Sequence, residues 1–158
     1  MGMKLLSLLE SIIQYLYHYT KADAAIRILQ QNQLGTDSRK FVKGGFFNRA
    51  SFTRDGNYQW GFPMLRGVVF VVDGIKLKQR YRLTPRRGDE GEDERECEEQ
   101  TDKPITNFSQ YVVKMILYSY LLEEKDLMKL KTLAQQRSIP VTVLHNEDFE
   151  PLTRKHVA

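Results

Sequence analysis

The segment Gly67 to Asp73 (GVVFVVD) places the tightest limit on how this chain folds. It is short, apolar and β-branched, the pattern of a strand buried on both faces of a sheet. What surrounds it fixes the class. Leu5, Leu6, Leu8, Leu9, Ile12, Ile13 and Leu16 recur at helical spacing and predict an amphipathic helix over 1–14 docked on the domain. Tyr15 to Tyr19 reads as an aromatic-rich strand. A second helix is expected from Thr20 to near Asn32, with Ala24, Ala25, Ile28 and Leu29 on its apolar face and Asp23 completing a short relative of a capping box. Further strands are expected at Ser51–Arg54, Tyr81–Thr84, Glu96–Gln100, Val112–Tyr118 and Pro140–Leu144, a helical turn at Ile75–Leu77 and a helix at Leu121–Arg137. Helices and strands do not alternate regularly, which argues against a doubly wound parallel sheet. An α+β fold on mostly antiparallel sheet fits this order.

The chain has 158 residues, enough for one domain. The expected organisation is a single domain over 1–158, with the N-terminal helix at 1–14, an acidic loop at 86–99 and a tail at 150–158. A hydrophobic content of 41% with 28% charge excludes collagen-like and wholly disordered chains. No run of 18 apolar residues occurs, so no membrane association is expected. The Leu-rich start resembles a signal sequence, but Glu10 interrupts it and no small-residue cleavage site follows. Cys97 is the one cysteine, which excludes an internal disulfide framework and a multi-cysteine zinc site and suits a reducing compartment.

The net charge of +4 conceals an asymmetry. Asp89 to Glu99 holds eight acidic residues and one Arg, and the rest of the chain carries 23 Lys and Arg against 12 Asp and Glu. That excess would attract a polyanion or a phosphate-bearing ligand. Lys76, Lys78, Arg80, Arg82, Arg86 and Arg87 would form the footprint of a nucleic-acid-binding domain, the first four alternating along a strand as a basic stripe.

Familiar catalytic signatures are missing. The sequence has no GxSxG, Walker A loop, GxGxxG or HExxH. The three histidines, His18, His145 and His156, lack metal-ligand spacing, so no metal site is expected. Cys97 sits among acidic residues that disfavour its thiolate. Three separated pieces remain. The first is Tyr17-His18-Tyr19-Thr20 ahead of a helix. The second is Ser51-Phe52-Thr53-Arg54, followed by Tyr58, Trp60 and Phe62. The third is Glu96-Cys97-Glu98-Glu99-Gln100. Each has an ordinary structural reading as well: a satisfied core histidine, a half-buried strand face, a solvated acidic loop.

Taken in order, the pieces resemble the ADP-ribosyltransferase superfamily, and most closely its compact bacterial and phage members, which open on a Tyr-His-x-Thr strand and carry Ser-x-Thr-Arg on a later one. The resemblance spans roughly residues 15–118. It implies two small, mostly antiparallel sheets flanked by helices, with an NAD-binding cleft between them. It implies NAD as substrate, a protein or nucleic acid as acceptor, and a toxin-like or phage effector acting in bacterial cytoplasm. His18, Glu98 and Glu99 would be the catalytic candidates, the two glutamates because relatives tend to read Glu-x-Glu-Glu-Arg there, with Gln100 in the place of the Arg in this chain; Glu98 is the first choice and Glu99 the second. His18, Tyr19, Thr20, Ser51, Thr53, Arg54, Tyr58 and Trp60 would bind the dinucleotide.

The chemistry has a rationale of its own. Breaking the nicotinamide–ribose bond develops an oxocarbenium-like charge that a carboxylate stabilises. A guanidinium such as Arg54 suits a pyrophosphate, and an aromatic face suits nicotinamide. Two rivals stand beside this reading: a catalytically degenerate binding or inhibitor protein of the same fold, and the basic nucleic-acid-binding domain.

Overall fold

The computed structural model describes residues 14–35, 50–53, 66–85 and 98–145. Strand β1 (Tyr15–Thr20) leads into helix α1 (Ala22–Gln31) and the two-residue strand β2 (Gln33–Leu34). Strands β3 (Ser51–Thr53) and β4 (Val68–Asp73) follow, then the short helix α2 (Gly74–Lys78). Strands β5 (Leu83–Pro85), β6 (Glu98–Thr101) and β7 (Ile105–Thr106) precede a 3-10 turn (Phe108–Tyr111) and the long strand β8 (Val112–Tyr118). A second 3-10 turn (Ser119–Leu121), helix α3 (Glu124–Gln136) and strand β9 (Val141–Leu144) complete the order.

Seven strands form one sheet in the order β5-β6-β3-β1-β4-β8-β9, and β2 pairs with β7 in a second, two-stranded sheet. All pairings are antiparallel except β8 with β9. The α+β class and the mostly antiparallel sheet hold. The division of strands differs from two small sheets, because β1 pairs with β3 on one side and with β4 on the other and so joins both halves into one surface.

Side chains alternate across this sheet, and each face has its own apolar cluster. Leu16, Phe52, Val68, Phe70, Val72, Met115 and Leu117 pack with Ala25, Ile28 and Leu29 of α1, Leu77 of α2, and Leu130 and Ala134 of α3. Tyr17, Tyr19, Val69, Val71, Ile116, Tyr118 and Leu144 cluster on the opposite face. The GVVFVVD segment accordingly contributes to both, with Val68 to Val72 all buried.

Local chemistry explains where elements begin and where expectation and structure part. Thr20 belongs to β1, paired with Val68 and buried, so it does not start the helix. Helix α1 opens instead at Ala22 after Lys21, whose carbonyl accepts from Ala25 N–H at 2.9 Å. It closes at Asn32, left-handed with φ 51°, a conformation asparagine tolerates. Asp73-Gly74 is a helix start: the Asp73 carboxylate accepts from the Ile75 and Lys76 amides, both at 3.1 Å.

Lys76 and Lys78 therefore lie on α2, with Arg80 just beyond it, and do not form a strand stripe. Tyr81, expected in a strand, is buried with its hydroxyl accepting from Thr106 N–H at 3.1 Å. The acidic segment ends inside β6, because the backbone of Glu98 and Glu99 is paired with β3, and that of Glu99 with β5 as well. The expected helix at 1–14 and the tail at 150–158 fall on residues outside those described, apart from Gln14.

Candidate active site

The three sequence pieces fall on three adjacent strands. β1 carries His18, β3 carries Ser51 and Thr53, and β6 carries Glu98 and Glu99, in the sheet order β6-β3-β1. Residues 18 and 99 are thus separated by a single intervening strand although 80 positions divide them in the chain.

The register assigns each residue to a row. Tyr17 lies opposite Thr53, and Thr53 opposite Glu98. One step along, Phe52 lies opposite Glu99, and His18 opposite Phe70. Alternation from the Tyr17–Thr53 pair puts His18 in the row of Phe52, and their rings meet edge to face with centroids 6.0 Å apart. The Phe70 ring lies on the other side of the imidazole at 6.4 Å. His18 is half-buried between two buried phenylalanines. Its row, read across the sheet, is Glu99, Phe52, His18, Phe70, Met115.

Neighbouring rows face the other way. Tyr19 follows His18 on the strand and belongs with Tyr17 to the cluster on the opposite face. Thr20 returns to the face of His18, two residues on. Ser51 lies opposite Gln100 and Thr53 opposite Glu98, rows that alternate with that of His18. The backbone thus brings the rows of His18 and Glu99 to one face and those of Tyr19, Ser51, Thr53 and Glu98 to the other. Arg54, Tyr58 and Trp60 lie outside the described residues.

Three nearby residues were not singled out from the sequence as site residues. Gln100 is buried in β6, where a charged arginine is the residue the resemblance implies. Arg66, exposed, donates from Nη1 to the Tyr19 carbonyl at 3.5 Å. Thr101 is fully buried and bonds to Ala50 through both backbone and hydroxyl. A polar residue at the end of a polar strand gives no pattern to read, so no sequence signal marks Thr101.

Other features lie elsewhere. A cavity of about 540 Å³ lined by Lys131, Gln135, Ser138, Ile139, Pro140, Val141 and Val143 sits at the β9 edge, three strands from β1, and includes none of the expected site residues. Among the described residues no group of three or more His, Cys, Asp or Glu could hold a metal ion, and no helix is long and apolar enough to cross a membrane. The Tyr118 hydroxyl is pushed up to about 12 by burial, with Tyr120 adding to the shift.

No family model matches this sequence. No curated protein matches it either. Among solved structures, the chain is similar to Thermus sp. 2.9 DarT in complex with carba-NAD+, with a TM-score of 0.54 at 10% identity, over 88% of this chain and 99% of that one. At that identity the likeness is one of backbone: this chain has a DarT-like fold.

Proposed function

We propose that this chain is an NAD-dependent ADP-ribosyltransferase. The observation that carries the reading is the adjacency of β6, β3 and β1, which gathers three pieces of sequence far apart along the chain. The fold likeness to a protein solved with an NAD analogue supports it.

In this reading His18 holds the nicotinamide ribose through hydrogen bonding rather than proton abstraction, its ring kept in place by Phe52 and Phe70. Arg54 is assigned the pyrophosphate, while Ser51 and Thr53, whose rows alternate with that of His18, take no part in this pocket. The N-glycosidic bond breaks with its electron pair passing to the nicotinamide nitrogen, and an acceptor nucleophile on a protein or nucleic acid closes on C1′ while losing its proton. Charge builds on the ribose as the bond lengthens, and a fixed carboxylate lowers that barrier. The register supports Glu99 for this carboxylate in place of Glu98, since Glu99 shares the row of His18 and Glu98 that of Tyr17.

The test is incubation with labelled NAD and a bacterial lysate, comparing the unmodified chain with Glu99→Gln, Glu98→Gln and His18→Ala. Loss of an electrostatic partner of this kind costs about 10²–10³-fold in rate. Glu99→Gln is expected to lose label transfer to that extent, with Glu98→Gln retaining more. Release of nicotinamide without transfer would reassign the chain as an NAD glycohydrolase. A chain that neither consumes NAD nor binds it by calorimetry would end the proposal in favour of a binding protein of the same fold.

A further inference from the structure

Strand β6 reads Glu98-Glu99-Gln100-Thr101 and contains no apolar residue. In most strands the apolar alternation fixes pairing, because a slip of one residue would turn the core face outward; a strand without that alternation is weakly specified. β6 nevertheless lies inside the sheet, between β5 and β3. Something other than hydrophobic pattern must hold its register.

The contacts of Thr101 supply it. Its backbone N–H donates to the Ala50 carbonyl at 2.9 Å. Its hydroxyl oxygen accepts from the Ala50 N–H at 3.1 Å, the place where a continuing ladder would use a backbone carbonyl. The same hydroxyl donates to the Lys103 carbonyl at 2.8 Å, closing the bend at Asp102–Lys103. Both backbone polar groups of Ala50, which leads into β3, are thus taken by one fully buried residue, and the ladder ends there.

We infer that Thr101 is a positioning residue that selects which glutamate of β6 shares the row of His18. The inference rests on the proposed NAD chemistry for its functional meaning, though the register itself does not. With Thr101 anchored on Ala50, Gln100 meets Ser51 and Glu99 meets Phe52. A one-residue slip would move Glu99 out of that row and bring Glu98 or Gln100, according to its direction, opposite Phe52.

The experiment compares Thr101→Val, which keeps the shape and removes the hydroxyl, with Thr101→Ser, which restores it. Cross-strand nuclear Overhauser contacts between β3 and β6, Ser51 with Gln100 among them, report the register without reference to activity. They are expected to be lost or split into two sets in Thr101→Val and to return in Thr101→Ser. In NAD turnover Thr101→Val is expected to lower kcat by about 10-fold or more, within the reach of a misplacement of about 1 Å, while KM for NAD shifts by less than about twofold. Thr101→Ser is expected to recover the rate.

A single unmodified register in Thr101→Val would overturn the inference, as would equal kcat in the two variants. If the unmodified chain does not turn over NAD, the proposed function falls and the cross-strand contacts alone decide the role of Thr101. Should Thr101→Val not fold, amide exchange in the unmodified chain decides: protection of Ala50 equal to that of the inner β3 amides supports the anchor, and exchange at the rate of an exposed amide overturns it.

Discussion

Asp73 ends one strand and begins one helix. As the last residue of β4 it pairs with Tyr15, and its carboxylate then satisfies two amides of the first turn of α2. Gly74 beside it donates its N–H to the Gln14 carbonyl at 2.8 Å, and a Cβ there would fall 2.8 Å from that same oxygen. Asp-Gly suits a tight turn as well as a helix start; here it opens a helix whose Leu77 packs into the core. Asp73→Ala is expected to lose about 1 kcal/mol in urea denaturation, with Asp73→Asn losing less, as for other amino-terminal caps. Tyr118 makes the second prediction at this scale. Its hydroxyl ionises at about 10 when exposed and at about 12 in the fold, because burial penalises the phenolate. The unfolded chain therefore loses this proton first, and the stability the group contributes is complete below pH 10 and falls as pH rises toward 12. Thermal melts of Tyr118→Phe should show a shallower alkaline decline than those of the unmodified chain.

Helices α1 and α3 pack against each other, and one side chain secures them. Arg137, at the end of α3, donates from Nε to the Leu29 carbonyl at 2.8 Å and from Nη2 to the Gln30 carbonyl at 2.9 Å. These are terminal acceptors of α1, left without partners along the helix, where a cation also suits the axial dipole. Arg137→Met keeps the aliphatic stem and removes both bonds, and is expected to lower stability by about 2 kcal/mol in chemical denaturation. Most elements were legible from the sequence. Val112–Tyr118 matches β8 at both ends, and the expected helices at Thr20–Asn32 and Leu121–Arg137 contain α1 and α3. Periodicity found these because each buries a face. The strands β2 and β7 went unread, since two residues cannot display a period. Their pairing depends on Asn32, which accepts from Phe108 N–H through its carbonyl and from Ser109 N–H through its side chain, a contact between distant parts of the chain.

At the scale of the whole molecule, the sequence identified the pieces of the candidate site but not their arrangement. His18, the Ser51–Thr53 strand and the glutamates of β6 were each visible as residue types in a suggestive order. Their adjacency depends on strand pairing across gaps of 30 residues or more, and no local pattern encodes it. The choice between Glu98 and Glu99 was less legible still, because a strand of glutamates and a glutamine has no preferred face. That information resides in Thr101 and Ala50, at the margin of the pairing.

β1, the first of the described strands, stands at the middle of the sheet, with three strands on each side. Its longest partner, β4, is about 50 residues further on. At a synthesis rate of about 5–20 residues per second, β1 emerges and waits some 3–10 s before that partner exists. Its edges, rich in tyrosine and open on both sides, are available to any other extended polypeptide through that interval. Assembly from such distant pairings is slow by nature, on the order of milliseconds to seconds once the chain is complete. A nascent copy therefore presents β1 without its longest partner until β4 has emerged.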